Sequence, residues 1–238
     1  RTSKKKAITT TEGNTARRRG YLKNKYMFLS MKKEILTEVE AEKILKSYVS
    51  IAKNQLVHLS REIKIKPPLV LKIISKQVIH KSDIGGVKIV KTKEELEREF
   101  NDLIKIAKRK KIRLQGILAQ EYHDGHQLII GIKKDPTFQH VLLLGAGGIY
   151  TEIMKDISIR ACPITEKDAE SMINDLKYKE ALEGKRGKKA NMSLLKQTLV
   201  KVSKIPLKYK KLQELDINPL IVNEKTVKVV DARMGFEK

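Results

Sequence analysis

Apolar and polar residues alternate along this chain with two periods, and each period predicts a different element. Runs of aliphatic residues bounded by Gly, Pro or Asp are typical of short strands, and apolar residues three and four apart are typical of helices. Strands are predicted at 51–59, 69–74, 87–90, 116–120, 127–133, 141–144, 212–216, 220–222 and 227–231. Helices are predicted at 93–109, 166–176 and 193–203, and a further one starts at Thr37, with Glu40 at capping-box spacing.

Turn residues predict how some of these strands pair. Asp124-Gly125 predicts a hairpin formed by the strands 116–120 and 127–133. Two strands near the C-terminus are predicted to form another pair, 212–216 with 220–222.

The strand at 141–144 is a continuous apolar run, which predicts that both of its faces are buried. Three glycines close behind it predict a flexible loop: Gly145, Gly147 and Gly148.

Composition limits the class of protein. The chain has 238 residues, of which 40% are hydrophobic and 33% charged, and this suits a soluble, folded protein of one large or two small domains. No apolar run approaches the roughly 18 residues that cross a membrane. The single cysteine, Cys162, excludes an internal disulfide framework and predicts a reducing, cytoplasmic compartment.

The formal net charge of +23 raises nucleic acid as a partner. Eleven Lys or Arg and a single acid, Glu12, lie in residues 1–33, which are predicted to be a disordered basic tail. The other lysines are spread along the chain, often beside Glu. Aromatic residues make up 5% and Trp is absent, so no base-stacking platform is indicated.

The most informative segment joins the two predicted strands on either side of residue 80. It contains His80, followed by Asp83 and the pair Gly85-Gly86. Glycines let backbone N–H groups approach an anion closely, and a neutral imidazole is a nucleophile, held in place here by Asp83. The segment is a candidate for phosphate chemistry, and the alternative is a hairpin with a polar tip and a surface histidine.

A second group of polar residues lies near the C-terminus. Glu214, Asp216 and Asn218 fall on one face of a strand because side chains alternate with period two, and Asp231 ends the adjoining strand. Carboxylate and amide oxygens suit Mg²⁺ when nucleotide phosphates and waters complete its coordination. The alternative is an edge hairpin whose polar residues face solvent.

Four motifs in this order resemble the β subunit of the ADP-forming acyl-CoA synthetases of archaea and some protists, members of the ATP-grasp superfamily related to succinyl-CoA synthetase. They are HKSDIGGV, the run from DPTF to RACPI, LEGKRG, and ELDINPLIV with VVDAR. The resemblance runs from about Leu36 to the C-terminus. It implies an α+β ATP-grasp fold of two lobes with nucleotide between them, and the segments are an N-terminal helix and connection at 34–68, a small lobe at about 69–110 and a large lobe at 111–238.

The resemblance also implies roles for individual residues. His80 matches the histidine that carries the phosphoryl group between two sites, and Lys72 matches the lysine that reaches the nucleotide phosphates. The remaining cofactor-binding positions are Gly85 and Gly86 of the histidine motif and the adenine hinge of Gln120, Glu121 and Tyr122. The metal ligands match Asn218 and Asp231.

Other carried-over roles are less specific. Asp216 stands where the related succinyl-CoA synthetases carry Glu, and Glu152 falls in the lid segment. Arg160 and Arg186 match basic positions near phosphate. For Glu152, Arg160 and Arg186 the alternative role is a structural salt bridge. Gln127 stands where the family usually carries an acid, which puts the ribose contacts in question.

The implied reaction converts acyl-CoA, ADP and phosphate reversibly to acid, CoA and ATP, with ATP/ADP and Mg²⁺ as cofactors. No acyl or CoA site is visible in this chain, so the resemblance implies a CoA-binding α subunit in an α2β2 hetero-oligomer, with His80 on a mobile loop as the shuttle. No membrane or nucleic-acid partner is expected. The alternatives are a stand-alone ATP-grasp carboxylate ligase and a basic nucleic-acid-binding module.

Overall fold

The computed structural model describes residues 33–78, 80–148, 156–185 and 187–238. The strands are β1 (Lys33–Ile35), β2 (Asn54–Val57), β3 (Leu69–Ile74), β4 (Val87–Val90), β5 (Gly116–Glu121), β6 (His126–Asp135), β7 (Gln139–Ala146), β8 (Ile157–Ala161), β9 (Leu212–Val222), β10 (Val227–Val229) and β11 (Ala232–Glu237). The helices are α1 (Glu38–Leu45), α2 (Lys93–Arg109), α3 (Glu166–Asp175), α4 (Lys179–Leu182), α5 (Met192–Ser203) and α6 (Ile205–Lys208). Short 3-10 turns lie at Ser60–Glu62 and Ser82–Ile84.

The smaller of the two sheets has four strands in the order β2-β5-β3-β4. Helix α2 packs on it because its apolar residues recur at helical spacing and bury Phe100, Leu103 and Ala107. These side chains meet Leu71 and Ile117 of the sheet in one core. Both the hairpin of β3 with β4 and the helix 93–109 confirm the predictions from the sequence.

The larger sheet has seven strands in the order β1-β11-β9-β6-β7-β8, with β10 also paired to β9. Helices α1, α3 and α5 supply apolar side chains to its core, among them Leu45, Met172 and Leu199, which meet Ile130 and Leu144 of the sheet. The strand pairs of both sheets are antiparallel. This arrangement confirms the predicted α+β class and excludes a doubly wound parallel sheet.

Helix α1 lies between the two sheets and contacts both. The predicted capping box is present, since Thr37 Oγ1 accepts from the Glu40 amide and the Thr37 amide donates to Glu40 Oε2 at 2.8 Å. Its apolar side is in the core of the larger sheet, with Ala41 fully buried. The same buried stripe carries two acids, Glu38 and Glu42, which make the contacts to the smaller sheet described below.

The predicted hairpin of 116–120 with 127–133 is wrong. β5 pairs with β2 and β3 in the smaller sheet, while β6 pairs with β7 and β9 in the larger one. β5 is buried along nearly its whole length because it has neighbours on both sides. The apolar residues of β5 indicate that the strand is buried, but they do not indicate which strands lie beside it. In the structure the Asp124-Gly125 pair lies where the chain crosses from the smaller sheet to the larger one, and not in a tight turn.

The predicted pairing of 212–216 with 220–222 is also wrong, because β9 is one continuous strand. Its register against β6 pairs Leu220 with Leu128 and Ile217 with Ile130, so Asn218 and Pro219 together oppose a single residue. This is a β-bulge, which tolerates a proline that cannot donate to the ladder.

Two smaller expectations also differ from the structure. In β7, Leu142 and Leu144 are fully buried whereas Val141 and Leu143 are only half-buried, so one face is covered and not both. Gly145 belongs to β7, and the Gly147 amide donates to Gln127 O at 2.7 Å, where a Cβ would lie 2.8 Å from that oxygen. These two glycines are held in place by close packing instead of forming a loop.

The sheet boundaries differ from the segments expected for the two lobes. Strands β2 and β5 lie outside 69–110 but belong to the same sheet as β3.

The predicted tail, 1–33, lies outside the described residues except for Lys33, which belongs to β1 and pairs with Glu237 of β11. None of the helices in the described ranges combines the length and apolar character needed to cross a bilayer.

We expect Gly125→Ala to destabilise the protein. Gly125 has φ +158°, and an added Cβ would lie 2.6 Å from the carbonyl oxygen of Val222. The clash and the backbone strain should lower the free energy of unfolding by about 2 kcal/mol, measured by denaturant titration. Gly131→Ala is the matched control, since its Cβ would meet Leu143 at 3.6 Å, an ordinary contact. Equal stability of the two variants would contradict the prediction.

Candidate functional site

A cleft of about 540 Å³ lies between the two sheets. Its lining comes from β3 and β4 on one side, β9 on the other, and the crossing segment 120–127 at one end. It brings together most of the site residues expected from the sequence, namely Lys72, His80, Gln120, Glu121, Tyr122, Asp216, Asn218 and Asp231. Clefts between lobes with a few convergent polar groups are common small-molecule sites.

The structure does not bring the other expected residues into this cleft. Gly85, Gly86 and Arg160 do not line it, and Glu152 and Arg186 lie outside the described residues. Arg160 donates to Asp175 Oδ2 at 2.8 Å and to Ser171 Oγ at 2.9 Å. This is the salt bridge that the sequence left open as its alternative role.

One part of the cleft is an apolar slot with polar ends. Val70, Val87 and Ile89 line it from the smaller sheet, and Pro219 and Ile221 line it from the larger sheet. Ile89 is 53% exposed, which is high for an isoleucine on a paired strand. An exposed apolar side chain at the mouth of a slot suits a flat, aromatic ligand group such as a nucleobase.

The crossing segment supplies the end of this slot. Gln120 is buried and its amide nitrogen lies 3.5 Å from Glu42 Oε1, while Tyr122 is 39% exposed. His123, which the sequence reading missed, also lines the cleft, and its Nε2 lies 3.5 Å from Glu121 Oε2 without a hydrogen bond.

The floor of the cleft is a chain of alternating charges. Glu38 accepts from Lys72 at 2.8 Å through Oε1 and from Lys81 at 2.8 Å through Oε2. Lys81 Nζ also lies 2.9 Å from Asp231 Oδ2, and Lys72 donates to the carbonyl oxygen of Val230. Two ammonium groups and two carboxylates therefore meet in one network, in which Glu38 and Lys72 are buried and Lys81 and Asp231 partly so.

Attraction between opposite charges favours the ionised forms of Glu38 and Lys81, whereas burial and the charge of Glu38 raise the pKa of Asp231. Burial alone would raise the pKa of Glu38, but the ammonium groups of Lys72 and Lys81 outweigh it and hold that pKa below its usual range. Burial likewise opposes the charge of Lys81, but Glu38 and Asp231 outweigh it and raise the pKa of Lys81.

Glu42, one turn after Glu38, forms no salt bridge with any residue that the structure describes. Its carboxylate accepts from Asn54 Nδ2 at 2.6 Å and is buried. Burial raises its pKa to about 7, and the charge of Glu38 adds to the effect. Glu42 is therefore only partly ionised near neutral pH. Its carboxyl group lies next to the side-chain amide of Gln120.

His80 is exposed on the segment that leads into the Ser82–Ile84 turn. No hydrogen bond joins its ring to another described residue, so the expected contact with Asp83 is absent. Burial raises the pKa of Asp216, a neighbour in the same cleft, and the charge of Arg233 opposes that shift.

The glycine pair shapes the turn and does not present free amides. Gly85 has φ +70°, and its amide donates to Ser82 O at 3.0 Å. The Gly86 amide donates to Lys81 O at 2.8 Å, and a Cβ there would lie 2.9 Å from the same oxygen. Both N–H groups are already paired, so the anion contact expected for them is not available in this conformation.

Asn218 and Asp231 meet at the bulge of β9. The Asn218 amide donates to Asp231 O at 3.1 Å, which fixes the two residues side by side, and both line the cleft. Asp231 lies between β10 and β11, both of which pair with β9. The described residues hold no cluster of three or more His, Cys, Asp or Glu suited to a metal. Two oxygen-bearing side chains beside an open cleft nevertheless fit a Mg²⁺ ion that takes its other ligands from phosphates and water.

Sequence reasoning missed the residues that hold this site together. Glu38, Glu42 and Lys81 were not among the expected residues, although the two acids fall on the buried side of α1 beside Ala41 and Leu45. The sequence did contain a signal for Glu38 and Glu42, because both acids fall at positions where an amphipathic helix buries apolar residues. Arg233, also in the cleft, belongs to the VVDAR motif but was given no role.

Comparison with known proteins identifies the family. The chain matches the ATP-grasp domain over residues 27–236. The β subunit of acetate–CoA ligase [ADP-forming] I from Pyrococcus furiosus is 39% identical over 210 residues, covering 84% of this chain and 90% of that subunit. The chain belongs to the ATP-grasp β-subunit family of the ADP-forming acyl-CoA ligases. The resemblance drawn from the four motifs is confirmed.

Other members of the ligase family are longer. The 4-hydroxybutyrate–CoA ligase [ADP-forming] of Nitrosopumilus maritimus is 38% identical over 230 residues, and the chain spans 33% of that protein.

The dinucleotide forming acetyl-coenzyme A synthetase 1 of Ca. Korarchaeum cryptofilum, in complex with coenzyme A and Ca-AMPCP, superposes with a TM-score of 0.81 at 34% identity, covering 92% of this chain and 99% of that chain.

A second structure of the Korarchaeum synthetase contains coenzyme A and Mg-AMPPCP, with its phosphohistidine segment pointing towards the nucleotide binding site. It is 34% identical, with a TM-score of 0.75, and covers 86% of this chain and 93% of that chain. The ATP-grasp fold expected from the motifs is therefore the fold of this chain.

The raised pKa of Glu42 predicts a pH-dependent stability. The folded protein binds this proton more tightly than the unfolded chain, so the stabilising contribution is complete below about pH 4.5 and is lost as the pH rises through about 7. In the unsubstituted protein the free energy of unfolding should fall by an amount on the order of 3 kcal/mol between pH 4.5 and 8. Glu42→Gln keeps an acceptor for Asn54 and should abolish this pH dependence, as measured by denaturant titration. Glu34→Gln, at an exposed site, is the control, and the same pH dependence in Glu42→Gln as in the unsubstituted protein would contradict the prediction.

Proposed function

We propose that this chain is the nucleotide-binding β subunit of an ADP-forming acyl-CoA ligase. In this role it would transfer a phosphoryl group between His80 and ADP, within the net conversion of acyl-CoA, ADP and phosphate to acid, CoA and ATP. The observation that carries the proposal is that one cleft holds His80, Lys72 and the oxygen-bearing residues of β9 and Asp231. Phosphoryl transfer needs this combination of a positioned nucleophile and charge neutralisation.

The apolar slot is assigned to the nucleobase and the charged floor to the phosphates. Val87 and Ile89 would cover one face of adenine, and Ile221 the other, with Gln120, Glu121 and Tyr122 at its edge. Lys72 lies at the other end, where it would meet the phosphates. The four-stranded sheet with α2 and the seven-stranded sheet with its helices would then act as the two lobes around the nucleotide.

The His80 step requires only the imidazole and two phosphate compounds. A ring nitrogen attacks the phosphorus of an acyl phosphate, a bond to nitrogen forms, and the carboxylate leaves. A β-phosphate oxygen of ADP then attacks the same phosphorus, and the imidazole leaves in its original state. The free ring of His80 and its exposure suit a nucleophile that must meet two different partners.

The acyl phosphate is assigned to a second, CoA-binding subunit. The described residues lining the cleft are accounted for by a nucleotide and a phosphoryl group. The relatives named as β subunits cover nearly the same length as this chain, which favours a separate α subunit in a hetero-oligomer. A stand-alone carboxylate ligase would need its acid site among the same residues, and no observation favours that alternative or a nucleic-acid-binding role.

Mg²⁺ is assigned to Asn218 and Asp231, where it would neutralise phosphate charge. Asp231→Asn removes the carboxylate and should weaken the Mg²⁺-dependent affinity for ADP at least tenfold, since charged oxygen ligands dominate Mg²⁺ sites. Isothermal titration calorimetry with and without Mg²⁺ measures this change. Asp102→Asn, at a half-buried position of α2 outside the cleft lining, removes the same charge elsewhere and should leave the affinity unchanged. An equal loss in the absence of Mg²⁺ would show that Asp231 acts on the fold.

Phosphorylation of His80 tests the proposed function directly. Incubation with γ-labelled ATP and Mg²⁺ should give an acid-labile, base-stable phosphate on His80, identified by mass spectrometry. His80→Ala should abolish the label and acyl-CoA-dependent ATP synthesis with the α subunit present, while ADP binding persists. His58→Ala, at another exposed histidine, should keep both activities. A label that persists in His80→Ala would refute the shuttle.

A further inference from the structure

Lys81, the residue directly after His80, joins two carboxylates from distant parts of the chain. Its Nζ lies 2.8 Å from Glu38 Oε2, 2.9 Å from Asp231 Oδ2 and 3.1 Å from Asp231 Oδ1. Only 11% of the Lys81 side chain is exposed. Both carboxylate oxygens of Asp231 are therefore in contact with one buried ammonium group.

We propose that Lys81 is a positioning residue that holds the His80 segment at the cleft, and that a divalent cation at Asp231 competes with it. This inference rests on the proposed function, because it takes Asp231 as a metal ligand. Metal loading at the nucleotide site and release of the His80 segment are then coupled through one carboxylate.

The competition follows from the geometry of the carboxylate. A divalent cation needs lone pairs on Asp231, and Lys81 occupies both oxygens. Two cations on one carboxylate also repel each other, so a cation at Asp231 weakens the contacts that Lys81 makes there. Because one peptide bond joins Lys81 to His80, a shift of the Lys81 backbone also displaces the imidazole.

The departure of Lys81 does not leave Glu38 as an unpaired buried charge. Glu38 Oε1 keeps its contact with Lys72 at 2.8 Å, so the carboxylate retains one ammonium partner. Loss of both partners would be strongly destabilising, whereas loss of one leaves a complete ion pair. Lys72 therefore serves as the permanent partner of Glu38, and Lys81 as the exchangeable one.

The same segment contains a natural control. Lys76 faces Glu40 at 3.7 Å, also on the first turn of α1, but 61% of its side chain is exposed. An exposed pair of this kind contributes little to holding a segment in place. Substitution of Lys76 therefore removes a lysine from the same segment and an ion pair to the same helix without touching the network.

The test is hydrogen–deuterium exchange of the amides at 80–86, measured by mass spectrometry with EDTA present. Lys81→Met should raise the exchange rate about tenfold, the factor expected from the loss of charged hydrogen bonds. Lys81→Arg should restore protection, and Lys76→Met should exchange as the unsubstituted protein does. Addition of Mg²⁺ with ADP should speed exchange in the unsubstituted protein relative to ADP with EDTA, and should add nothing in Lys81→Met.

Calorimetry on the same samples separates the two proposals. Lys81→Met should bind Mg²⁺ more tightly in the presence of ADP, because the competing ammonium is gone. Unchanged metal-free exchange in Lys81→Met overturns the positioning role. Binding of Mg²⁺ and ADP with no change in exchange overturns the coupling but leaves the proposed function standing. Failure of ADP to bind the unsubstituted protein overturns the proposed function, and the coupling with it.

Discussion

The burial of one carboxylate, that of Glu38, sets the arrangement of the rest of the site. A buried carboxylate without partners would cost several kcal/mol, and Glu38 avoids this by accepting from Lys72 of β3 and from Lys81. Glu38 belongs to a helix whose apolar side lies in the core of the larger sheet, whereas Lys72 belongs to the smaller sheet. The ion pairs therefore join the two sheets at the floor of the cleft, and the direction of the Lys81 side chain follows from them.

The second constraint is the bulge of β9. Asn218-Pro219 interrupts the register of this strand with β6, and bulges of this kind re-aim side chains beside functional sites. Asn218 is thereby placed against the backbone of Asp231, while Asp216, two residues earlier, stays on the regular ladder opposite Gly131. A rigid sheet thus supplies the oxygen-bearing side chains, and the histidine comes from a short turn that a single lysine connects to them.

The sequence predicted elements better than it predicted partners. The capping box at Thr37, the helix 93–109 and the hairpin of β3 with β4 follow from local rules, which need only neighbouring residues. Strand β5 was assigned the wrong partner because its burial is recorded in its residue types, whereas its neighbours, β2 and β3, are chosen by contacts across the whole domain. The bulge at Pro219 was read as a turn for a similar reason, since proline breaks a ladder in both situations.

The site shows the same division between local and global information. His80, Asn218 and Asp231, which line the cleft, were proposed from the sequence because their motifs carry recognisable residue types in a short span. Glu38 and Lys81 were missed because each looks like an ordinary surface charge until the fold buries it, and the sequence holds 51 Lys or Arg and 28 acids from which to choose. What distinguishes Glu38 is its position on the otherwise apolar stripe of α1, where a charge survives only with a partner. An acid on the buried side of an amphipathic helix is therefore the feature to examine first in a chain as basic as this one, because its partner must be a cation that the fold has also removed from water.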